Sequence, residues 1–282
     1  RSREDDHCDW VVVGLADQGT IERLEIDTEH FKGNYPGSCS VEGARHDGAD
    51  ASVAEADWRT VLPETDLQAH TRHVFEDEIA DTGPFTHLRL NIFPDGGIAR
   101  FRAHGRLDET GWAARKLRQL NTFPARRARE AFLACCGADR WADAMVEGRT
   151  YDNPEELLEA ADVVFDDLST DDWLEAFAAH PRIGQEADEG DQTEQGESWS
   201  EDEQSGTEEM ATDTETRLRE LNRKYYDKFG FIYIVYSSGK SADEMLGLLE
   251  DRLDNDRETE LRNAAEAQRQ ITQSRLQKLL TP

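Results

Sequence analysis

At 282 residues the chain is long enough for two domains, each burying its own core. Its 61 acidic residues against 32 basic ones give a formal net charge of −29, a surface that repels nucleic acid and anionic membranes and excludes both as expected partners. The acidic excess runs through both halves and lysine is scarce, which points to a halophilic protein: at molar salt the Debye length falls to about 3 Å and self-repulsion is screened. No stretch approaches the roughly 20 apolar residues of a membrane span, and no secretory apolar region lies near the start. The chain opens at Arg1 without methionine, as a piece of a longer protein would. Cys8, Cys39, Cys135 and Cys136 show neither metal-ligand spacing nor a disulfide framework, so a reducing cytoplasmic location and no metal site are expected.

Taken in order, residues 8 to about 105 read as β. Trp10–Val13, Thr20–Ile26, Thr86–Ile92 and Gly97–Arg102 are short, mostly alternating apolar runs, bounded by turn signals at Pro36-Gly37, Gly83-Pro84 and Pro94-Asp95-Gly96-Gly97. Several such strands predict a β-sandwich of jelly-roll type. From about residue 112 the apolar period becomes helical. The segments Trp112–Leu120, Pro124–Cys136, Trp141–Val146, Pro154–Phe165, Asp171–His180, Thr214–Tyr226, Ser241–Leu253 and Arg257–Leu280 each carry a stripe at i, i+3, i+4. Asp171 and Ser241 are the expected N-caps. The run 229–236 favours a strand by local propensity, but it is continuously apolar and is expected as a buried extended segment between helices. A multi-domain chain follows: a β-sandwich over 1–106, a connector over 107–119 and an all-helical domain over 120–282, whose stretch 185–197 reads as a solvated acidic loop. Trp199 marks the return of order after it.

The histidines are unevenly placed. His7, His30, His46, His70, His73, His87 and His104 precede residue 105, and His180 stands alone in the helical region. It opens His180-Pro181-Arg182-Ile183-Gly184, which is followed by Trp199-Ser200-Glu201-Asp202-Glu203-Gln204. An imidazole near a carboxylate can move protons near neutral pH without a cofactor. Ser200, Glu203 and Gln204 share one face if that stretch is helical. The same Ser-x-x-Glu spacing is also a capping box, and a histidine before proline is also a helix-end residue; spacing does not separate these readings.

The second half resembles the 2-oxo-4-hydroxy-4-carboxy-5-ureidoimidazoline (OHCU) decarboxylase family. The resemblance runs from about Leu120 to Leu280. It is carried by Leu120-Asn121, Cys135-Cys136-Gly137 with Arg140-Trp141-Ala142, Trp173–Phe177 leading into His180–Gly184, and Trp199-Ser200 with Glu203–Gly206. Leu221–Tyr225, Lys228–Phe231, Gly239–Ala242, Arg252-Leu253 with Asn255, and Ile271-Thr272 with Arg275-Leu276 continue it. The first half resembles the C-terminal repeat of allantoicase, through Asp9–Val13, Ile26–Thr28, His30–Pro36, Gly83-Pro84, Thr86-His87 and Arg89–Gly97. Allantoicase is built from two such repeats, and one is present.

The first resemblance implies an all-helical carboxy-lyase of urate degradation that needs no metal or organic cofactor. It implies His180 as the catalytic acid/base, with Glu203 bonded to the substrate or orienting the imidazole. Arg275 would grip the anionic substrate, with Arg252 as its rival; Ser200 and Gln204 would bind the ureido and ring polar atoms, and Pro181 would line the pocket. The expected partners are a small-molecule substrate and further copies of the chain in a homo-oligomer. The second resemblance makes His30 and His87 candidates without assigned roles. It leaves two alternatives: a bifunctional protein with allantoicase activity once the other repeat is supplied, or a non-catalytic scaffold.

Overall fold

The computed structural model describes residues 8–46, 51–180, 212–237 and 240–282, and the chain divides into two compact units between Arg115 and Lys116. The first unit is strand-rich, with β1 (Asp9–Asp27), β2 (Ser38–Ala44), β3 (Arg59–Asp66), β4 (Arg72–Phe75), β5 (Phe85–Phe93) and β6 (Arg100–Leu107). The sheet order is β3-β2-β5-β1-β4, with β6 also paired to β1. All pairings are antiparallel. The two expected runs 10–13 and 20–26 belong to one long strand. Its residues 9–14 pair with β5, its residues 19–27 pair with β6, and the register breaks between Gly14 and Gly19. That irregularity lets β1 serve two parts of a curled sheet. Ile21, Leu24 and Ile26 of β1 then join Val41, Val61, Leu62, Phe85, Leu88 and Leu90 in one buried core.

Strands β2, β3 and β4 carry weak signals: β2 is built from Ser, Cys, Glu, Gly and Ala around Val41, and β3 contains Pro63. Proline is tolerated there because β3 lies at the end of the sheet path, with β2 as its strand neighbour on one side.

The second unit is helical, joined through α1 (Glu109–Thr122), which overlaps the span read as a connector. There follow α2 (Ala125–Cys135), α3 (Asp139–Glu147), α4 (Pro154–Asp166), α5 (Thr170–Ala178), α6 (Thr212–Phe229), α7 (Ala242–Arg252) and α8 (Arg257–Leu279). Local chemistry sets several starts. Asn153 caps α4 by accepting from the Glu156 N–H, with Pro154 in the first turn. Ser241 and Glu244 form a capping box on α7, as the Ser241 reading requires. The expected cap Asp171 is displaced: Ser169 caps α5, because Asp172 three residues on completes the reciprocal box and leaves Asp171 inside the first turn.

The longest helix, α8, packs against α2, α4, α5 and α6 and carries a buried stripe of Leu261, Ala264, Ala265, Ile271 and Leu276. Small alanines let neighbouring helices approach closely. Segment 231–237 forms neither helix nor ladder, and Phe231, Tyr233 and Ile234 are buried. Its aromatic rings pack with Tyr225, Phe229 and Phe177 at centroid separations of 5.3–6.1 Å. Aromatic burial, rather than strand pairing, satisfies its strand-like composition.

Candidate active site

Helix α5 ends at Ala178, and two residues later the His180 N–H donates to the Phe177 carbonyl at 3.1 Å. This aims the imidazole at α8, where Nε2 lies 2.8 Å from Gln268 Oε1. Gln268 is completely buried, and its Nε2 is 3.3 Å from Thr272 Oγ1. One turn further along the same face comes Arg275, only 4 % exposed, whose Nη1 donates to the Ala134 carbonyl at 3.2 Å. Cys136, buried just beyond α2, interacts with Thr272 and lies within the field of Arg275. The group is assembled from three helix neighbourhoods: the ends of α2 and α5, and the middle of α8.

Its electrostatics follow from burial. Desolvation, reinforced by the positive Arg275 guanidinium, pushes the His180 imidazole down to about 3, against the opposing hydrogen bond to the Gln268 amide oxygen. At neutral pH the imidazole is therefore uncharged and able to accept a proton. Burial likewise pushes the Cys136 thiol up to about 11, outweighing Arg275 and Thr272, so it is no nucleophile at neutral pH.

Of the residues singled out from sequence, His180 and Arg275 meet in this group. Pro181, Ser200, Glu203 and Gln204 lie outside the described residues, as do the acidic stretch 185–197 and Trp199. Arg252 occupies a different cluster. Its Nε donates to buried Glu260 at 2.6 Å, its Nη1 donates to the Ile234 carbonyl at 2.7 Å, and it stacks 4.9 Å from the Tyr233 ring centroid. Tyr225 and Asn255 also donate to Glu260. This network ties α6, α7 and α8 together. Gln268 and Thr272 received no role from sequence reasoning. Their signal was available: 268, 272 and 275 at i, i+4 and i+7 place polar groups on the apolar face of a helix.

In the strand-rich unit the two candidate histidines stand in separate settings. The His30 N–H donates to His70 Nδ1 at 2.8 Å, whereas His87 Nδ1 lies 3.0 Å from Thr86 Oγ1 with its ring 5.9 Å from that of His46. Burial and His46 lower the His87 imidazole below the ordinary range. Among the described residues no three His, Cys, Asp or Glu side chains are grouped to hold a metal.

Residues 121–277, more than half the chain, match the family model for OHCU decarboxylase. The chain belongs to the OHCU decarboxylase family. His180, Gln268, Thr272 and Arg275 all fall inside the span that this family covers. A crystal structure of an OHCU decarboxylase in the presence of (S)-allantoin is 32 % identical, covering 54 % of this chain and 97 % of that one, with a TM-score of 0.46. Residues 1–108 match the allantoicase repeat. This part is 50 % identical over 102 residues to the probable allantoicase of Stutzerimonas stutzeri (strain A1501), covering 35 % of this chain and 31 % of the relative. It is 46 % identical over 104 residues to that of Pseudomonas fluorescens (strain SBW25), with 36 % and 31 % covered. A solved allantoicase structure is 33 % identical over 37 % of this chain and 30 % of its own, with a TM-score of 0.32. The chain thus spans about a third of the length of these curated allantoicases. A decarboxylase-family domain and one allantoicase repeat share the polypeptide.

Proposed function

We propose that the helical unit converts 2-oxo-4-hydroxy-4-carboxy-5-ureidoimidazoline to (S)-allantoin and CO2, without a metal or organic cofactor. The observation that carries this reading is the neutral, half-buried His180 beside the buried Arg275, within the decarboxylase-family span. The substrate has a carboxylate on a carbon that also bears a hydroxyl, next to a ring C=N. When the C–C bond to the carboxylate breaks, its electron pair moves into that imine, so the substrate supplies its own electron sink. His180 takes the hydroxyl proton, and the enol-like product is protonated on one face within a site shielded from water. Arg275 grips the carboxylate with its planar guanidinium. The substrate's negative charge also offsets the field that holds the imidazole down, so the base gains proton affinity as substrate arrives. Glu203 bonds the substrate or orients the imidazole, Ser200 and Gln204 bind ureido and ring atoms, and Pro181 lines the pocket.

A second reading rests on the allantoicase repeat over 1–108. With the other repeat supplied by further sequence or another chain, the protein would also release urea from allantoate; a purely scaffolding sandwich is the alternative. We place the protein in a salt-rich cytoplasm as a homo-oligomer, on its charge and its cysteine usage. The test follows freshly generated substrate, made from urate with urate oxidase and hydroxyisourate hydrolase, by circular dichroism in molar KCl. Rapid appearance of optically active (S)-allantoin, lost in His180→Asn, is expected. Racemic allantoin formed at the spontaneous rate would overturn the reading, and urea release from added allantoate would establish the second activity.

A further inference from the structure

We infer that Gln268 is a positioning residue that fixes the tautomer of His180, so that Nδ1 is the atom that takes the substrate's proton. This rests on the catalytic reading of His180 above. The argument is an accounting of hydrogens along α8. Thr272 has one hydroxyl hydrogen. Its Oγ1 lies 2.9 Å from the Gln268 main-chain carbonyl, which can only accept, so that hydrogen is spent along the helix. Cys136 as an alternative receiver of that hydrogen would change nothing, because either choice leaves Thr272 only a lone pair for the Gln268 side chain. The Gln268 atom 3.3 Å from Thr272 Oγ1 is therefore its NH2 group, and the amide oxygen faces His180.

An oxygen with no hydrogen, 2.8 Å from Nε2, requires that Nε2 carry one. The imidazole beside Arg275 is neutral, so its second nitrogen, Nδ1, is left with the free lone pair. Burial makes the arrangement rigid: Gln268 is 0 % and Thr272 2 % exposed, so a flipped amide would either face Thr272 with a second acceptor or strip the Gln268 carbonyl of the Thr272 hydroxyl hydrogen, in a place that water does not reach. Thr272 thus locks Gln268, and Gln268 locks His180. The neighbouring Arg275 on the same helical face completes a base and an anion grip whose spacing is set by one rigid element.

Three measurements test this. In the intact protein with nitrogen-labelled histidine, the signal lost in His180→Asn is expected to report a protonated Nε2 and a bare Nδ1 at neutral pH. Gln268→Leu, which cannot accept from Nε2, is expected to lower kcat roughly tenfold to hundredfold with KM little changed. Gln268→Glu retains an acceptor of either charge state. It is expected to restore much of kcat while moving the acidic limb of the pH–rate profile to higher pH, because a carboxylate raises the imidazole's proton affinity. A merely structural glutamine would change stability and leave that limb in place. A protonated Nδ1 in the wild type, or wild-type kcat in Gln268→Leu, overturns the inference. Full activity in His180→Asn would instead overturn the catalytic reading on which it rests, whatever the Gln268 variants do.

Discussion

His180 keeps its imidazole well below the ordinary histidine value because burial and Arg275 both disfavour the charged form. The ordinary value is 6.5, so below that pH the unfolded chain binds a proton that the native site refuses until about pH 3. The linked stability is fully present above the unfolded value and is lost as pH falls toward the folded one. Denaturant midpoints measured between about pH 6.5 and pH 4 should therefore fall more steeply for the wild type than for His180→Asn, which has nothing to titrate. Parallel slopes would mean a solvated imidazole. The two arginines should separate in kind. Arg275→Ala should raise KM and lower kcat, because the grip on substrate is lost in both ground and transition states. Arg252→Ala should instead destabilise the fold by about 3–5 kcal/mol, since it leaves the fully buried Glu260 without its cation. Denaturant unfolding alongside steady-state kinetics distinguishes the two. The resemblance put Arg275 first and kept Arg252 as its rival, and the residues alone could not decide between them, because the partner that occupies Arg252, Glu260, is a distance and a burial rather than a motif.

Caps and close contacts govern the elements. Ser169→Ala removes one arm of the α5 capping box and should cost about 1 kcal/mol, read as a lower Tm. His180 sits just past the end of that helix, so loosening α5 should also lower kcat. In the strand-rich unit, a Cβ at Gly105 would meet the Thr20 carbonyl oxygen at 1.7 Å, within the β1–β6 ladder. Gly105→Ala should force that pairing apart and lower Tm far more than a surface substitution does. The helices were legible because their apolar stripes are long and several starts carry a cap. Ser169 was overlooked in favour of Asp171 because both residue types cap, and only the bond to the Asp172 N–H tells them apart. Strands β2 to β4 escaped because small, polar or proline-containing strands are defined by the neighbours they pair with. The run 229–236 looked like a strand by composition, yet its outcome was set by Tyr225 and Phe177 packing against its rings.

For the whole molecule, a net charge of −29 makes salt a structural variable. Raising KCl from about 0.1 M to about 3 M should raise Tm, as the Debye length shrinks from about 10 Å toward and below 3 Å. A Tm insensitive to KCl would remove the case for salt adaptation. The sequence by itself determined the class of each half: alternating short runs before about residue 105, helical stripes after it, and ordered motifs that resemble the two families since found. These features are local, written in periodicity and in residues a few positions apart. It also marked His180 as unusual and Arg275 as a candidate. What only the tertiary structure decided was which polar residues meet. Gln268 reaches His180 across 88 residues of sequence, Arg275 reaches Ala134 across 141, and Arg252 is held by Glu260. Such meetings depend on how the ends of α2 and α5 dock on α8, and the proton affinity of His180 depends on the water that this docking excludes.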